Sequence, residues 1–330
     1  MAQAVEAADQ ARYRSSPNPW VGAVVVSAGR VVGTGATRPP GGAHAEVVAL
    51  AAAGDAARGG TLYTTLEPCC HQGLTGPCTT AIVEAGIGRV VIAVADPDSD
   101  VSGGGVSALA EADIEVEVGV GVGDVEEQLR PYLHHRRTGL PYVVLKLAAT
   151  LDGRIAATDR SSTWITGDEA RQDVHRLRAQ SDAICVGAGT VRADDPRLTV
   201  RDWNEAEAFG ARDPRRVVLG AIPDGAQVEP AHSHEGPLEG LLADLGGDGV
   251  LQLLVEGGAD VAGRFHRAGL VDRYVIYLAP AILGGDDSVP MMAGPGSSTM
   301  ADVARGRFTA VSRLGDDLRI DMVPDPRPGQ

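Results

Sequence analysis

Aromatic side chains are scarce in this chain. Three Phe, three Trp and six Tyr make up 4% of 330 residues. Its core must therefore be built from Ala, Val and Leu; at 44% hydrophobic residues it still has enough for a folded α/β protein and too much for a disordered one. Positive charge is also short. Lys and Arg number 29 against 44 Asp and Glu, a net charge of -15, which excludes a binder of the nucleic-acid backbone because such a protein needs a basic face. A local pair of arginines can still hold one phosphate inside an acidic protein. No uncharged apolar run approaches the ~20 residues that span a bilayer. The opening residues, with Glu6 and Asp9 among alanines, lack the basic-then-apolar order of a signal peptide. A cytoplasmic protein with no membrane or nucleic-acid partner is expected. Cysteines are four (Cys69, Cys70, Cys78 and Cys185), and three of them fall within ten residues. That clustering suggests a metal rather than disulfides.

What is present alternates. Residues 2–13 read as a helix. Val21–Ser27 and Val31–Thr37 are β-branched runs separated by Ala28-Gly29-Arg30, a hairpin signal. An alanine-rich helix over His44–Arg58 ends at Gly59-Gly60. Strands at Thr61–Thr65, Arg89–Ala95 and Ile114–Val118, with helices over Cys78–Ala85 and Val106–Ala112, predict a three-layer α/β/α domain. A helix over Asp124–Arg137 ends in His134-His135-Arg136-Arg137. Thr138-Gly139-Leu140-Pro141 is then a natural break, which divides the chain into domains 1–139 and 140–330. Strands at Tyr142–Ala149, Asp182–Gly187, Arg216–Leu219, Val250–Val255 and Arg273–Ala279 follow. Helices over Asp168–Ala179, Leu238–Leu245 and Val261–Ala268 lie between them, which predicts a largely parallel sheet with helices on both faces. The tail after Met322 is expected to fray.

His44-Ala45-Glu46 stands at a helix start, with Glu67-Pro68-Cys69 and then Cys78 downstream. One imidazole and two thiolates suit tetrahedral Zn²⁺ with the fourth position open to a water that the metal acidifies. Glu46, two residues from His44, can lie beside that position, take the water proton and pass it to a departing amine. The pattern is that of zinc deaminases, although eight residues rather than two separate Cys69 from Cys78. Two blander readings stand beside it. A structural zinc held by Cys69, Cys70, His71 and Cys78 leaves His44-Ala45-Glu46 unexplained. The other reading is of buried inert thiols with no metal.

Further motifs join these in a fixed order. In the first half they are Pro17-Asn18-Pro19 with Val21-Gly22, the histidine and cysteine motifs, and His71, Gly73, Thr75 and Pro77. In the second half they are Lys146-Leu147-Ala148-Ala149-Thr150-Leu151-Asp152-Gly153-Arg154, Ser162-Thr163-Trp164-Ile165, Val186-Gly187-Ala188-Gly189-Thr190-Val191, Asp194-Asp195-Pro196, Leu198-Thr199-Val200-Arg201 and Leu254-Val255-Glu256-Gly257-Gly258. Over nearly its whole length the chain thus resembles the bifunctional riboflavin-biosynthesis deaminase–reductases. The resemblance implies a cytidine-deaminase-like α/β/α domain followed by a dihydrofolate-reductase-like α/β domain. It implies that His44, Cys69 and Cys78 bind zinc, that Glu46 shuttles protons and that Asn18 and Asp96 line the pyrimidine pocket. NADPH contacts are implied at Ala149, Trp164, Thr190 and Asp194 and along the turn Gly258, Ala259, Asp260, Val261, Ala262, Gly263 and Arg264. Substrate contacts are implied at Ser162, Arg178, Leu198, Arg201 and Glu256.

These assignments are physically sensible. Arg178 and Arg201 are guanidinium forks of the kind a ribose phosphate wants, and Gly257-Gly258 between a strand and a helix lets backbone approach a cofactor phosphate. Taken singly, the glycines are an ordinary turn, the arginines solvated and Trp164 a packing residue. The implied path deaminates 2,5-diamino-6-(5-phosphoribosylamino)pyrimidin-4(3H)-one and then reduces the ribosyl group to ribityl with NADPH. Lys146 and Asp152 are the polar candidates near the hydride acceptor, with a strand-end lysine and a turn aspartate as the structural alternatives. A homodimer or tetramer is expected from the resemblance.

The chain departs from the family in three stretches: the loop after Cys69, the segment before His44, and Arg216–Glu256. Cys70 stands where Ser usually precedes His71, and Leu74 where a basic residue is usual. Thr37-Arg38-Pro39-Pro40 lacks a histidine that many members carry, with Arg38 the nearby cation. Arg216–Glu256 looks shortened by a strand. Gly220-Ala221 stands where an acidic residue often ends one. These departures leave two other readings open. One is a zinc deaminase of a related nucleobase or nucleoside with an inactive or binding-only second domain. The other is a non-catalytic paralogue that senses pyrimidine or dinucleotide.

Overall fold

The computed structural model describes residues 1–73, 75–98, 101–162 and 164–326. Leu74, Thr163 and the last four residues of the tail, all singled out above, lie outside the described residues. The chain forms two compact units, Met1–Leu140 with Ala208–Ala211, and Pro141–Glu207 with Arg212–Gln330.

The first unit is a five-stranded sheet, β2-β1-β3-β4-β5, made of β1 (Gly22–Ser27), β2 (Arg30–Ala36), β3 (Thr61–Leu66), β4 (Arg89–Val94) and β5 (Glu115–Val118). Strand β1 is antiparallel to both neighbours, and β3, β4 and β5 run parallel. Ser27 pairs with Arg30, so the hairpin loop is Ala28-Gly29. Both loop residues have positive φ, 49° and 73°, the twist that a two-residue loop requires. Helices α1 (Ala2–Asp9) and α5 (Val122–Gln128) pack together on one face, and α2 (Ala45–Ala53), α3 (Cys78–Glu84) and α4 (Gly104–Glu111) on the other. The shortage of aromatics has a structural counterpart here. A Cβ on Gly35 would lie 2.2 Å from the Ala45 carbonyl oxygen, and one on Gly33 equally close to that of Ala49. Helix α2 thus rests on β2 nearly backbone to backbone, which sets the height of its first turn.

The expected helix over Asp124–Arg137 is two helices, α5 and α6 (Arg130–Thr138). Pro131 is the second residue of α6 and has no N–H to continue α5. Two other expected helices are shorter than their patterns. Helix α1 stops at Asp9, and α2 gives way at Gly54 to a 3₁₀ turn over Gly54–Ala57.

The second unit carries an eight-stranded sheet. Its strands are β6 (Tyr142–Thr150), β8 (Ala183–Gly187), β9 (Arg215–Leu219), β10 (His232–His234), β11 (Gln252–Val255), β12 (Arg273–Ala279), β14 (Gly306–Leu314) and β15 (Asp317–Pro324), in the order β10-β9-β8-β11-β6-β12-β15-β14. A separate pair joins β7 (Arg154–Ala156) to β13 (Val289–Pro290). The helices are α7 (Asp168–Ala179), α8 (Ala188–Asp194), the single turn α9 (Ala206–Phe209), α10 (Leu238–Gly247) and α11 (Ala259–Ala268). The sheet is parallel from β10 to β12, as expected. Strands β8 and β11 are buried at every residue, the pattern of parallel strands covered on both faces. Alternate residues of β6 and β8, Tyr142, Val144, Ile184 and Val186, share one core cluster with Val174 and Leu177 of α7.

The C-terminal edge differs from expectation. Strand β15 is antiparallel to β12 and β14, and Val323 and Pro324 belong to it, so fraying does not begin after Met322. Seven of the nine residues of β14, all but Thr309 and Leu314, are exposed, Phe308 and Val311 among them, so the strand is exposed on both faces. It therefore shows no inside–outside alternation for sequence reading to detect.

Candidate functional site

In the first unit the loop after β3 and the starts of α2 and α3 meet. His44 is the N-cap of α2, Glu46 lies in its first turn, and Cys78 opens α3. His44 Nδ1 is 3.2 Å from Cys78 Sγ and 3.5 Å from Cys69 Sγ. Two ligands at Zn–N and Zn–S distances around a tetrahedral ion are about 3.6 Å apart. These donors therefore have the spacing of a zinc ligand set with no rearrangement of the backbone. Among the described residues they form the group of His, Cys, Asp and Glu donors able to hold a metal ion. The far ring nitrogen, His44 Nε2, faces Thr75 Oγ1 at 3.4 Å, so with Nδ1 turned to a metal Nε2–H donates to Thr75.

The charges suit a dication. The hydrogen bond from Cys78, aided by His44 and by the Cys78 backbone N–H, pulls the Cys69 thiol down to about 4. The same shared proton and burial raise Cys78. The pair thus holds one proton, which a bound dication would release. The Cys70 sulfur is turned to the start of α4, 2.7 Å from where a Gly104 Cβ would stand, so the four-ligand alternative with Cys70 and His71 is not assembled. Cys78→Ser is expected to leave the purified protein without stoichiometric zinc and Cys70→Ser to keep it, as read by metal analysis.

Glu46 is 4% exposed, and burial pushes its carboxyl up to about 7. A cavity of about 220 Å³ opens over the cluster, and Asn18, Asp96, Tyr132 and Arg136 line it together with His44 and Glu46. The structure therefore brings Asn18 and Asp96 to the same pocket as the expected metal ligands. Burial pushes Asp96 up to about 6, although the Asp98 backbone N–H and the Tyr132 hydroxyl donate to it. Arg38 does not line this cavity; Thr37 does, with its hydroxyl bonded to Val21.

Glu67 has a role that its motif did not reveal. Its buried carboxylate accepts the backbone N–H groups of Asp96 (3.3 Å), Gly103 (3.2 Å), Gly105 (3.0 Å) and Val106 (3.1 Å). It thereby ties the chain two residues before Cys69 to the Asp96 wall and to the N-terminus of α4. Gly105 permits the approach, since a Cβ there would lie 2.1 Å from the Pro68 carbonyl oxygen. Glu67→Ala is expected to cost about 3 kcal/mol, because several buried donors lose a charged acceptor. Urea unfolding of the zinc-loaded protein checks this.

In the second unit the carboxyl ends of neighbouring parallel strands β6, β8 and β11 converge, the usual ligand position in such sheets. Arg178, on α7, makes a two-pronged contact with Glu256, which follows β11 (Nε to Oε1 2.7 Å, Nη2 to Oε2 3.0 Å). Lys146 Nζ, on β6, is 3.8 Å from Glu256 Oε2. Burial alone would raise Glu256, but Arg178 and Lys146 outweigh it and pull the carboxyl down to about 2. Burial lowers Lys146. It is the chain's only lysine and sits inside a strand, not at its end. Arg178 also donates to the Thr199 carbonyl (3.2 Å), and His175, one turn earlier on α7, faces the same oxygen at 3.0 Å. Leu198 is buried, and Arg201 lies beside Thr199 and Asp202. Sequence reading missed His175, although its spacing of three from Arg178 was the available signal.

Asp152 takes the turn role. Its carboxylate accepts from the Thr150 hydroxyl and from the backbone of Leu283 and Gly284.

Of the expected cofactor residues, Thr190 lies in the first turn of α8 and Gly258–Arg264 open α11, whereas Asp194 is the last residue of α8 and Ala149 lies on β6. A Cβ on Gly257 would lie 2.4 Å from Val261, one on Gly187 2.8 Å from it, and one on Gly258 3.5 Å from the Thr190 hydroxyl. The contacts at Gly257 and Gly187 are too close for a Cβ, so these two positions need glycine, whereas the one at Gly258 is ordinary van der Waals contact; a cleft with a helix N-terminus at its edge suits a dinucleotide phosphate. Ala149 is buried in β6. Asp194 and Ser162 are exposed. Trp164 is 69% exposed, with Arg171 stacked 4.2 Å over its ring, so it is not a packing residue. Cys185, in β8, is buried and its thiol is pushed up to about 12, the state of an inert core cysteine.

Comparison with known proteins agrees over both units. Residues 1–94 match the family model of the cytidine and deoxycytidylate deaminase zinc-binding region. Residues 141–320 match that of the RibD C-terminal domain. The chain is 44% identical to the riboflavin biosynthesis protein RibD of Mycobacterium tuberculosis, over 98% of this chain and 96% of that one. It is 37% identical to RibD of Escherichia coli, over 98% of each. Among solved structures, Acinetobacter baumannii RibD (form 1) superposes with a TM-score of 0.93 at 37% identity, covering 98% of both chains. A Thermotoga maritima protein described as a diaminohydroxyphosphoribosylaminopyrimidine deaminase/5-amino-6-(5-phosphoribosylamino)uracil reductase gives 0.88 at 33% identity, covering 98% of this chain and 97% of that one. These matches favour the two-activity reading over a deaminase with a binding-only second domain. The chain belongs to the RibD family of bifunctional riboflavin-biosynthesis enzymes, in which a zinc-binding deaminase domain is joined to an NADPH-dependent reductase domain.

Proposed function

We propose that this chain deaminates 2,5-diamino-6-(5-phosphoribosylamino)pyrimidin-4(3H)-one and then reduces the ribosyl group of the product to ribityl, with residues 1–139 carrying the first activity and 140–330 the second. The observation that carries the reading is the set of three donor atoms with a buried glutamate beside them, facing one cavity. His44, Cys69 and Cys78 hold zinc, which when bound supplies a Lewis acid that makes water nucleophilic near neutrality. Glu46 holds the proton taken from water and gives it to the leaving amine; a carboxyl titrating near 7 suits both transfers. Asn18 and Asp96 orient the pyrimidine.

In the second unit Ser162, Arg178, Leu198, Arg201 and Glu256 contact the substrate, with Arg178 and Arg201 the guanidinium groups for its phosphate. Ala149, Trp164, Thr190, Asp194 and Gly258–Arg264 bind NADPH, the source of hydride. Lys146 and Glu256 place a buried cation and carboxylate where the ribose hydroxyl develops. The enzyme acts in the cytoplasm, where its thiols stay reduced. It assembles as a homo-oligomer through the reductase unit, where β14 offers a long exposed edge with Phe308 and Val311.

The test is product mass analysis after incubation of zinc-loaded protein with the diaminopyrimidine ribosyl phosphate and NADPH. A product both deaminated and reduced is expected. A deaminated, unreduced product would remove the second activity; unchanged substrate would remove the first, and the second is then read from NADPH oxidation with the deaminated compound supplied directly.

A further inference from the structure

The deaminase cavity is acidic for a pocket that receives a phosphate. Glu46, Glu67, Asp96 and Asp98 all line it. Zinc with two thiolates would be close to neutral, and Glu67 is already satisfied by four backbone donors. A phosphate dianion entering the cavity therefore meets Glu46, Asp96 and Asp98. Among the described residues that line it, the basic side chains are the imidazoles of His44 and His71 and one guanidinium, that of Arg136, the one group there that is always charged. His44 is committed to the metal cluster.

Arg136 belongs to the basic run at the end of α6, which the deaminase reading leaves without a role. Its guanidinium lies over the ring of Tyr132, one turn earlier, at 5.1 Å. Its Nε is 3.1 Å from Asp98 Oδ2. The Tyr132 hydroxyl donates in turn to Asp96. The side chain is neither buried nor free, at 29% exposure. The ion pair with Asp98 and the Tyr132 ring hold the guanidinium in place. On the other edge Nη1 lies 3.4 Å from His135 Nδ1, a long contact that a phosphate would displace to make the two parallel N–H···O contacts that suit it.

We propose that Arg136 grips the 5′-phosphate of the deaminase substrate and sets the preference of this pocket for phosphorylated over dephosphorylated pyrimidine ribosides. The inference rests on the proposed function for the identity of the substrate, and on the cavity geometry for the residue.

The test compares zinc-loaded wild type, Arg136→Met and Arg136→Lys by ammonia release from the diaminopyrimidine ribosyl phosphate and from its 5′-dephosphorylated form. The ratio of kcat/KM for the two substrates is expected to fall about thirtyfold in Arg136→Met, mostly through KM, the scale of one charge-assisted contact. Arg136→Lys should restore part of it. An equal loss on both substrates would reduce Arg136 to a brace for Asp96 and Asp98, and an unchanged ratio would place the phosphate elsewhere. A second readout does not depend on turnover. The Arg136 Nε–H resonance, assigned by its absence in Arg136→Met, is expected to shift saturably on addition of ribose 5-phosphate. An unmoved resonance would overturn the inference. If wild type releases no ammonia from either substrate while this resonance shifts, the proposed function fails and the phosphate site stands.

Discussion

Glu46→Gln is expected to lower deamination about 10³-fold, the middle of the range for loss of a positioned proton carrier, while the protein keeps its zinc. Glutamine preserves the shape that fills the start of α2 and removes only the group that exchanges a proton. The metal donors, His44, Cys69 and Cys78, are within reach of one another without Glu46, so zinc content should stay at the wild-type level. Ammonia release and metal analysis on the same preparation separate the outcomes. Retained turnover would remove the shuttle role. Loss of zinc together with activity would make Glu46 a structural support of the cluster.

Glu256→Ala is expected to destabilise the second unit by about 3–5 kcal/mol, the usual cost of leaving buried charges unpaired, and to abolish NADPH oxidation by the deaminated substrate. The variant leaves Arg178 and Lys146 facing each other across the space of the lost carboxylate, with side chains only 11% and 16% exposed. The wild-type pH dependence follows from the same contacts. Glu256 is depressed from 4.5 to about 2 in the folded chain. It contributes stability that is fully present above its unfolded value and is lost as pH falls from about 4.5 toward 2, a contribution on the order of 3 kcal/mol. Urea midpoints measured from pH 7 down to pH 3.5 should therefore fall more steeply in wild type than in Glu256→Gln. Parallel curves would show that Glu256 does not carry this charge in the folded state.

Much of the first site was legible because its chemistry is local. His44-Ala45-Glu46 spans one helix start, and Cys69 and Cys78 lie at the two ends of one loop. Residue type and spacing then nearly define a ligand set. Asn18 and Asp96, expected from the resemblance, do line the cavity. Arg136 and Glu67 were not legible as pocket residues. A basic run at a helix end is most often solvated, and the partners of Glu67 lie 29 to 39 residues further along the chain.

The sequence by itself determined the alternation of helix and strand, the parallel core strands, the hairpin at Ala28-Gly29 and the three side chains, His44, Cys69 and Cys78, that stand close enough to hold a metal. Each depends on period, turn chemistry or short spacing, which survive without knowledge of the fold. Only the tertiary structure decided that Lys146, Arg178 and Glu256 form one buried cluster, because strand order rather than sequence distance sets Lys146 on β6 beside the end of β11. It also decided that the chain ends in an antiparallel β14–β15 hairpin. Strand β14 is exposed on both faces and carries no alternation, so its place comes from pairing with β15. Arg136 owes its position in the cavity to Pro131, which starts a new helix there and aims its last turn at Asp98.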